Sequence, residues 1–261
     1  MDIKNLKLLP TKAKVGFTLA EGATHVNLLP TSAKVGFTLA EVLITLGIIG
    51  VVAALTIPGL INNYKAARLK SQFLKSYSTI QQVFKRMQDD EISLDPNSYV
   101  DGNSFYKEFL KYLQGASICN GRNPLCPHGG VKYAGINNAW LDDGKILLSD
   151  GTLLMFENMA RSTLVLVTVD LNGYKNPPNI VGYDTFSFQL IDGEILAVGD
   201  NGTIRTGERY CDIDLAVEAA QRAASGGSDY GTTCAHYAKV DADYFKKVVR
   251  KYKYNFIPLG R

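Results

Sequence analysis

The stretch Lys34-Val-Gly-Phe-Thr-Leu-Ala-Glu-Val-Leu-Ile-Thr-Leu-Gly-Ile-Ile-Gly-Val-Val-Ala-Ala-Leu-Thr-Ile-Pro58 organises the rest of the chain. One acid, Glu41, stands at the start of an apolar run, and the run from Val42 to Ile61 carries no charge. About 20 helical residues at about 1.5 Å each span about 30 Å, the thickness of a bilayer's hydrocarbon core. The run therefore predicts a membrane-spanning helix at about residues 42–61, and a buried soluble helix is the alternative.

Glu41 is the only charged side chain between Lys34 and Lys65. An acid inside a membrane helix is costly to insert and is a functional candidate by default. Glu41 lies one helical turn from Phe37. If the mature chain begins at Phe37, the α-amine of Phe37 is a cation of opposite charge near the helix N-terminus. In a bundle of such helices, Glu41 of one subunit can pair with a neighbour's amine and set the axial register. The alternative is that Glu41 only reaches towards the lipid headgroups.

The segment Gly36-Phe37-Thr-Leu-Ala-Glu41, followed by an apolar run with Pro58, resembles the N-terminus of type IV prepilins and type II secretion pseudopilins. The resemblance implies that a prepilin peptidase cuts between Gly36 and Phe37 and that Phe37 is then N-methylated. It also implies a role for Glu41 in the assembly of subunits. It covers about residues 34–65, and the shared register of Gly, Phe, Glu and Pro makes it specific.

Two further features of the predicted span concern its packing. Small residues let neighbouring helices approach closely, and the span carries Gly47, Gly50, Ala53 and Ala54. Pro58 removes a backbone donor, so we expect a helix kink near residues 54–57.

The charge of the chain is concentrated before the span. The formal net charge is +3, and residues 1–36 hold five lysines against Asp2 and Glu21. The remaining residues hold as many acids as bases, which argues against nucleic-acid binding by the body of the protein. We predict that residues 1–36 are a leader peptide, which takes no part in the fold.

The leader contains a duplicated motif. Residues 8–21 repeat residues 28–41 with one change, Lys12 for Ser32. The polar sequence after the first copy cannot cross a bilayer, so we predict that Gly16 is not the productive cleavage position.

The basic leader indicates that the N-terminus is cytoplasmic. Four cations also follow the span, so the charge rule alone is ambiguous: Lys65, Arg68, Lys70 and Lys75. The resemblance implies a single-pass protein of the bacterial inner membrane with an extracytoplasmic C-terminal domain.

All four cysteines lie after residue 118. An even number fits disulfides in an oxidising compartment. Pairing Cys119 with Cys126 and Cys211 with Cys234 is the most local of the three possible connectivities. A zinc site that uses Cys119, Cys126 and His128 is the alternative, but it lacks an evident fourth ligand.

Helical spacing continues beyond the span and predicts one long helix over residues 37–88. A stripe on its second half is expected to pack on the domain: Leu69, Phe73, Tyr77, Ile80, Phe84 and Met87. Shorter helices are predicted at residues 105–113, 214–224 and 241–252. Residues 115–135 are rich in Cys, Pro and Gly and are predicted to form a loop.

Strand patterns follow this loop. Hairpins are predicted over residues 145–156, turning at Asp150-Gly151, and over residues 185–198, turning at Asp192-Gly193. Residues 162–169 are typical of a buried central strand. The predicted class is α+β: a long N-terminal helix packed on an antiparallel sheet of about four or five strands, as in pilins. Residues 89–261 would form the globular domain.

The segment from Asp170 to Asp184 is similar to one found in many secretion-type pilin-like proteins. Asp170, Asn172 and Asp184 offer oxygen ligands to calcium. Asp, Asn and Gly are also the residues of any tight turn, which is the other interpretation. No further cofactor is predicted.

The sequence shows no constellation of residues that carries catalysis. We expect a structural subunit that is the substrate of a peptidase and methyltransferase and that assembles with other pilin or pseudopilin subunits. The alternative is a single-span anchored extracytoplasmic binding protein that does not polymerise.

Overall fold

The structure is a computed structural model that describes residues 36–99, 104–119, 123–127, 132–158, 164–221 and 229–252. The chain divides into two compact units, residues 1–49 and residues 50–261. The described part of the first unit consists of residues 36–38 and the beginning of the first helix. The sheet and the remaining helices belong to the second unit.

Five α-helices lie in the described part of the chain. They are α1 (Leu39–Asp89), α2 (Phe105–Leu110), α3 (Ile213–Gln221), α4 (Cys234–Val240) and α5 (Tyr244–Lys251). Single turns of 3-10 helix occur at Pro96–Ser98, Asn138–Leu141 and Glu208–Tyr210. The four helices predicted from the sequence are confirmed, with α1, α2 and α5 ending within three residues of their predicted bounds. The short helix α4 was not predicted from the sequence.

The described strands form one antiparallel sheet in chain order. They are β1 (Ser117–Ile118), β2 (Gly144–Leu147), β3 (Leu153–Asn158), β4 (Val165–Asp170), β5 (Thr185–Ile191) and β6 (Glu194–Ala197). The class is therefore α+β. The expected count of about four or five strands was wrong. Ser117 and Ile118, which lie in the segment predicted to be a loop, form an additional strand by pairing with Leu147 and Ile146 of β2.

Both predicted hairpins are confirmed. The turn between β5 and β6 consists of Asp192 and Gly193, whose φ angles are 49° and 83°. A two-residue turn with two positive φ angles matches the right-handed twist of the strands that it joins. Gly151, in the turn between β2 and β3, also has a positive φ of 89°.

The second half of α1 packs on one face of the sheet. Its buried residues are Ala66, Leu69, Phe73, Ser76, Ile80, Val83, Phe84 and Met87. The centroid of the Phe73 ring lies 5.0 Å from the ring centroid of Phe186 on β5 and 5.7 Å from that of Phe245 on α5. Five residues of the predicted stripe are buried, whereas Tyr77 is half-buried because its hydroxyl donates to the Ile195 carbonyl at 3.1 Å.

The outer edge of β6 is closed by hydrogen bonds. The Ile195 carbonyl accepts from Tyr77, and the Ala197 amide donates to the Asp200 carboxylate at 3.2 Å. The Ala197 carbonyl accepts from the Asp200 amide at 2.9 Å. Three outward-facing polar groups of this edge strand therefore have partners within the same domain.

Candidate functional site

The candidate site begins where α1 begins. Thr38 is the N-cap residue, and Glu41 is the third residue of the helix. The Thr38 amide and hydroxyl each donate to Glu41 Oε2 at 2.8 Å, and the Glu41 amide donates to the Thr38 hydroxyl at 3.3 Å. These reciprocal bonds form a capping box, which satisfies two of the free amides at the helix start.

The capping box gives Glu41 a structural role that the sequence analysis missed. The signal was present, because Thr-x-x-Glu before an apolar run is the sequence signature of this cap. All the hydrogen bonds to the Glu41 carboxylate end on Oε2, and among the described residues none ends on Oε1. The cap therefore uses one oxygen and leaves the other free to accept from a cation outside the chain.

The residues on either side of the predicted cleavage point make few contacts. Phe37 is 88 % exposed. A Cβ atom added to Gly36 would meet no described atom within 4 Å. Packing against the described residues therefore gives no reason for a glycine at position 36, and among these residues none covers Phe37.

The first half of α1 exposes its apolar side chains. α1 is long and apolar enough to cross a membrane, and none of its most apolar 18-residue window is buried. The exposed large side chains are Leu39, Val42, Leu43, Ile44, Leu46, Ile48, Ile49, Val51, Val52, Leu55, Ile57, Leu60 and Ile61. A contiguous apolar surface of this kind marks a site that contacts a membrane or another protein.

The polar groups within this apolar half have partners inside the helix. The Thr45 hydroxyl donates to the Val42 carbonyl at 3.0 Å, and the Thr56 hydroxyl donates to the Val52 carbonyl at 2.9 Å. Such bonds remove the need for water around the two hydroxyls in a lipid environment. α1 continues through Pro58 to Asp89, and the kink expected near Pro58 stays a prediction.

Two disulfides fix the loops of the domain. Cys119 is bonded to Cys126 and Cys211 to Cys234, which is the most local pairing. The Cα atoms of the two pairs lie 5.5 Å and 4.7 Å apart. Cys119 and Cys126 therefore offer no thiolate to zinc, and His128 lies outside the described residues. Disulfides of this kind persist in oxidising compartments.

The three calcium candidates lie at the last residue of β4 and in the connection from β4 to β5. Asp170 Oδ1 accepts from the amides of Asn172 and Gly173 at 3.2 and 2.9 Å. Its Oδ2 accepts from the Tyr133 hydroxyl at 2.7 Å. The Asn172 side-chain amide donates to the Asn176 carbonyl at 2.7 Å.

Asp184 is held in the same way at the other end of this connection. Its Oδ1 accepts from the Ile180 amide at 2.8 Å and its Oδ2 from the Asn179 amide at 3.0 Å. Asp170 and Asp184 are fully buried, and burial raises the pKa of both carboxyls. Backbone amides that donate to an Asp side chain are typical of a tight turn. These contacts fit the interpretation of the segment as a turn, which was the alternative to calcium binding.

A cluster of three acids, Asp142, Asp143 and Glu157, was not apparent from the sequence. One oxygen from each of Asp142, Asp143 and Glu157 lies within 4.8 Å of the other two. The register of β2 with β3 brings them together, because Gly144 is opposite Phe156. Burial raises the pKa of Glu157 to about 7, and the charges of Asp143 and Asp142 add to this.

His236 takes part in a cluster of hydrogen bonds around Asp200. Its Nδ1 lies 2.6 Å from Asp200 Oδ1, and Lys239 Nζ lies 2.6 Å from Asp200 Oδ2. Burial alone would raise the pKa of Asp200, but these two partners lower it below its ordinary value. Because Asp200 also holds the Ala197 amide, these contacts tie α4 to the end of β6.

Comparison of the chain with protein-family models, with curated proteins and with solved structures found no match. The class that the fold defines is an α+β protein with two disulfides and one helix able to cross a membrane, within the described residues.

Proposed function

We propose that this chain is a structural subunit of a filament that assembles from the bacterial inner membrane, either a type IV pilus or a type II secretion pseudopilus. It is not an enzyme but a substrate: a prepilin peptidase cuts between Gly36 and Phe37, and the new amine of Phe37 is methylated. Residues 1–36 are then the leader, residues 37–88 the long helix and residues 89–261 the extracytoplasmic pilin-like domain.

One observation carries this proposal. The cleavage and methylation motif, Gly36-Phe37 with Glu41, ends at the first turn of a helix whose apolar half has no covering within the described chain. Three glycines support it, because a Cβ at Gly47, Gly50 or Gly59 would meet no described atom within 4 Å. An exposed helical glycine is unfavourable by about 1 kcal/mol relative to alanine. Close approach by the helices of other subunits would explain why these positions are glycine.

The assembly contact follows from the capping box. Glu41 keeps Oε2 on Thr38 and presents Oε1 outwards. The amine of Phe37 in a neighbouring subunit can bind this second oxygen, and each charge then offsets the cost of burying the other. The cap and the contact between subunits therefore use different oxygens of one carboxylate.

The duplicated leader motif supplies a matched control for processing. We expect Gly36→Ala to block cleavage by a co-expressed prepilin peptidase, whereas Gly16→Ala leaves it unchanged. Intact-mass spectrometry of the wild-type product should show a chain that begins at Phe37 and carries one added methyl group. A product that keeps residues 1–36, or one that begins at Phe17, would overturn the proposal.

A further inference from the structure

α5 has one buried and one basic face. Tyr244, Phe245, Val248 and Val249 are buried, and the Tyr244 hydroxyl donates to the Gly182 carbonyl at 2.6 Å. The exposed residues of the helix are all cations: Lys246, Lys247, Arg250 and Lys251. Burial of the apolar face fixes the direction in which these four cations point.

α5 lies where the buried half of α1 begins. Phe245 packs against Phe73, and Lys70 Nζ donates to the Ala242 carbonyl at 3.0 Å, just before α5. Lys70 follows Ile61, the end of the apolar run, by nine residues, which is about 14 Å along a helix. A headgroup layer is about 5–8 Å thick on each side of a bilayer. Long basic side chains near Lys70 therefore come within about 10 Å of the headgroups, one Debye length at about 0.1 M salt.

The cations of α1 and α5 outnumber the acids beside them. We call Lys65, Arg68, Lys70, Lys246, Lys247, Arg250 and Lys251 the basic collar. Three carboxylates pair with it: Asp243 with Lys246, Asp241 with Lys247 and Asp214 with Lys251. Seven cations against three acids leave a net charge of +4. Exposed ion pairs are weak, so the paired lysines can also bind an external anion.

The unpaired cations of the collar have no ionic partner within the described residues. They are Lys65, Arg68 and Lys70, which follow the apolar run on α1, and Arg250 on α5. The chain from Phe37 onwards has equal numbers of acids and bases, so a local charge of +4 stands out from a neutral body. It lies at the end of the domain nearest the predicted span.

We propose that the basic collar binds the anionic lipid headgroups of the leaflet at the C-terminal end of the span. Lipid phosphates are the anions that a membrane-inserted α1 brings within reach of these side chains, and α5 then lies against the headgroups. The inference rests on the proposed membrane insertion of α1. Each basic residue near an anionic membrane surface strengthens binding about fivefold, so three such residues contribute about 100-fold.

The test uses the full chain in nanodiscs of phosphatidylcholine, with or without one third phosphatidylglycerol. Hydrogen exchange of the peptide that covers α5 is followed by mass spectrometry. We expect phosphatidylglycerol to slow this exchange severalfold at about 0.1 M salt and to lose its effect at about 1 M, where the Debye length is about 3 Å. The variant Lys246→Gln/Lys247→Gln/Arg250→Gln should exchange at the same rate in both lipids, because its docked-to-undocked ratio falls about 100-fold.

Two controls make the result specific. Lys85→Gln/Lys107→Gln/Lys111→Gln removes the same charge far from the collar and should behave as the wild type. Lys85 lies about 36 Å along α1 from Ile61, and Lys107 and Lys111 belong to α2 and its C-terminal cap, where α2 packs on Phe84 through Phe105 and Phe109. Lys246→Arg/Lys247→Arg keeps the charge and should also behave as the wild type, which shows that the charge and not the lysine side chain itself is required.

Equal exchange of the wild type in both lipids would overturn the inference, as would protection of α5 by a short DNA duplex but not by phosphatidylglycerol. Failure of the wild type to enter nanodiscs at all would instead refute the membrane insertion on which the proposed function depends.

Discussion

The substitution Glu41→Gln separates the charge of this side chain from its cap. A glutamine carbonyl can accept the bond that Glu41 Oε2 now accepts from the Thr38 amide at 2.8 Å, so the start of α1 is preserved. The negative charge is lost, and a neighbouring amine of Phe37 would then be buried without a partner. Breaking one side of a buried ion pair is strongly unfavourable, and we expect assembly to weaken at least about 100-fold.

The matched control is Thr38→Ala, which removes the hydroxyl of the capping box and leaves the charge in place. Loss of an N-cap side chain costs about 1 kcal/mol, equivalent to about fivefold. Filaments sheared from cells that express each variant with the assembly machinery are quantified by immunoblot and electron microscopy. Intact mass first shows that each variant is cut before Phe37. The expected order is wild type, then Thr38→Ala, then Glu41→Gln far below both.

Two outcomes would refute this reasoning. Wild-type assembly by Glu41→Gln would show that the charge is not needed. Equal loss in Glu41→Gln and Thr38→Ala would show that the cap, and not the ion pair, limits assembly. If the wild type itself forms no filaments although it is cut and inserted, the anchored binding protein becomes the better interpretation.

The remaining predictions concern the domain. Phe73→Ala should lower the free energy of unfolding by about 3–5 kcal/mol in urea titrations, whereas Leu74→Ala, at a 46 % exposed position, should change it little. Replacing Cys211 and Cys234 by Ser removes their disulfide, which closes a long loop, and should lower the free energy of unfolding by about 3 kcal/mol. Calorimetry should show a lower Tm. Burial raises the pKa of Glu157 to about 7, so its folded form retains a proton that the unfolded form releases above about pH 4.5. The free energy of unfolding should therefore fall as the pH rises from about 4.5 to about 7. Glu157→Gln should reduce this fall by about 1 kcal/mol after allowance for solvent screening, as measured by unfolding at each pH. An unchanged slope in the variant would contradict the assignment to Glu157.

The long helix and the hairpins could be predicted because their signals are local. Leu69, Phe73 and Ile80 repeat at helical spacing, and Asp192-Gly193 has the residue types that a turn with two positive φ angles requires. The same periodicity does not decide how deeply each side chain is buried. Tyr77 stays half-buried because its hydroxyl needs a partner, which it finds in the Ile195 carbonyl.

Other features depended on contacts that sequence spacing does not reveal. β1 has two residues, too few for any periodicity, and it is held by the bond from the Cys119 amide to the Lys145 carbonyl at 2.8 Å. The short helix α4 is placed by the disulfide that ends at its first residue, Cys234. Asp143 and Glu157 are 14 positions apart and meet only through strand register.

The N-terminal site was partly predictable for a related reason. The single acid in an apolar run drew attention to Glu41 through its charge, and this interpretation obscured the simpler signal of Thr38 three residues before it. The observed cap and the proposed contact between subunits can use the same side chain because a carboxylate has two oxygens. A helix long and apolar enough to cross a membrane was predictable from composition alone, since uncharged runs of this length are rare in soluble domains.

The closed edge of β6 restricts how copies of this domain can meet when they are crowded together. Because Tyr77 already donates to the Ile195 carbonyl and Asp200 already binds the amide and carbonyl of Ala197, a foreign strand finds no continuous template there. Growth of an amyloid-like ribbon from this side is thereby discouraged, even at the high local concentration that neighbouring anchors would impose.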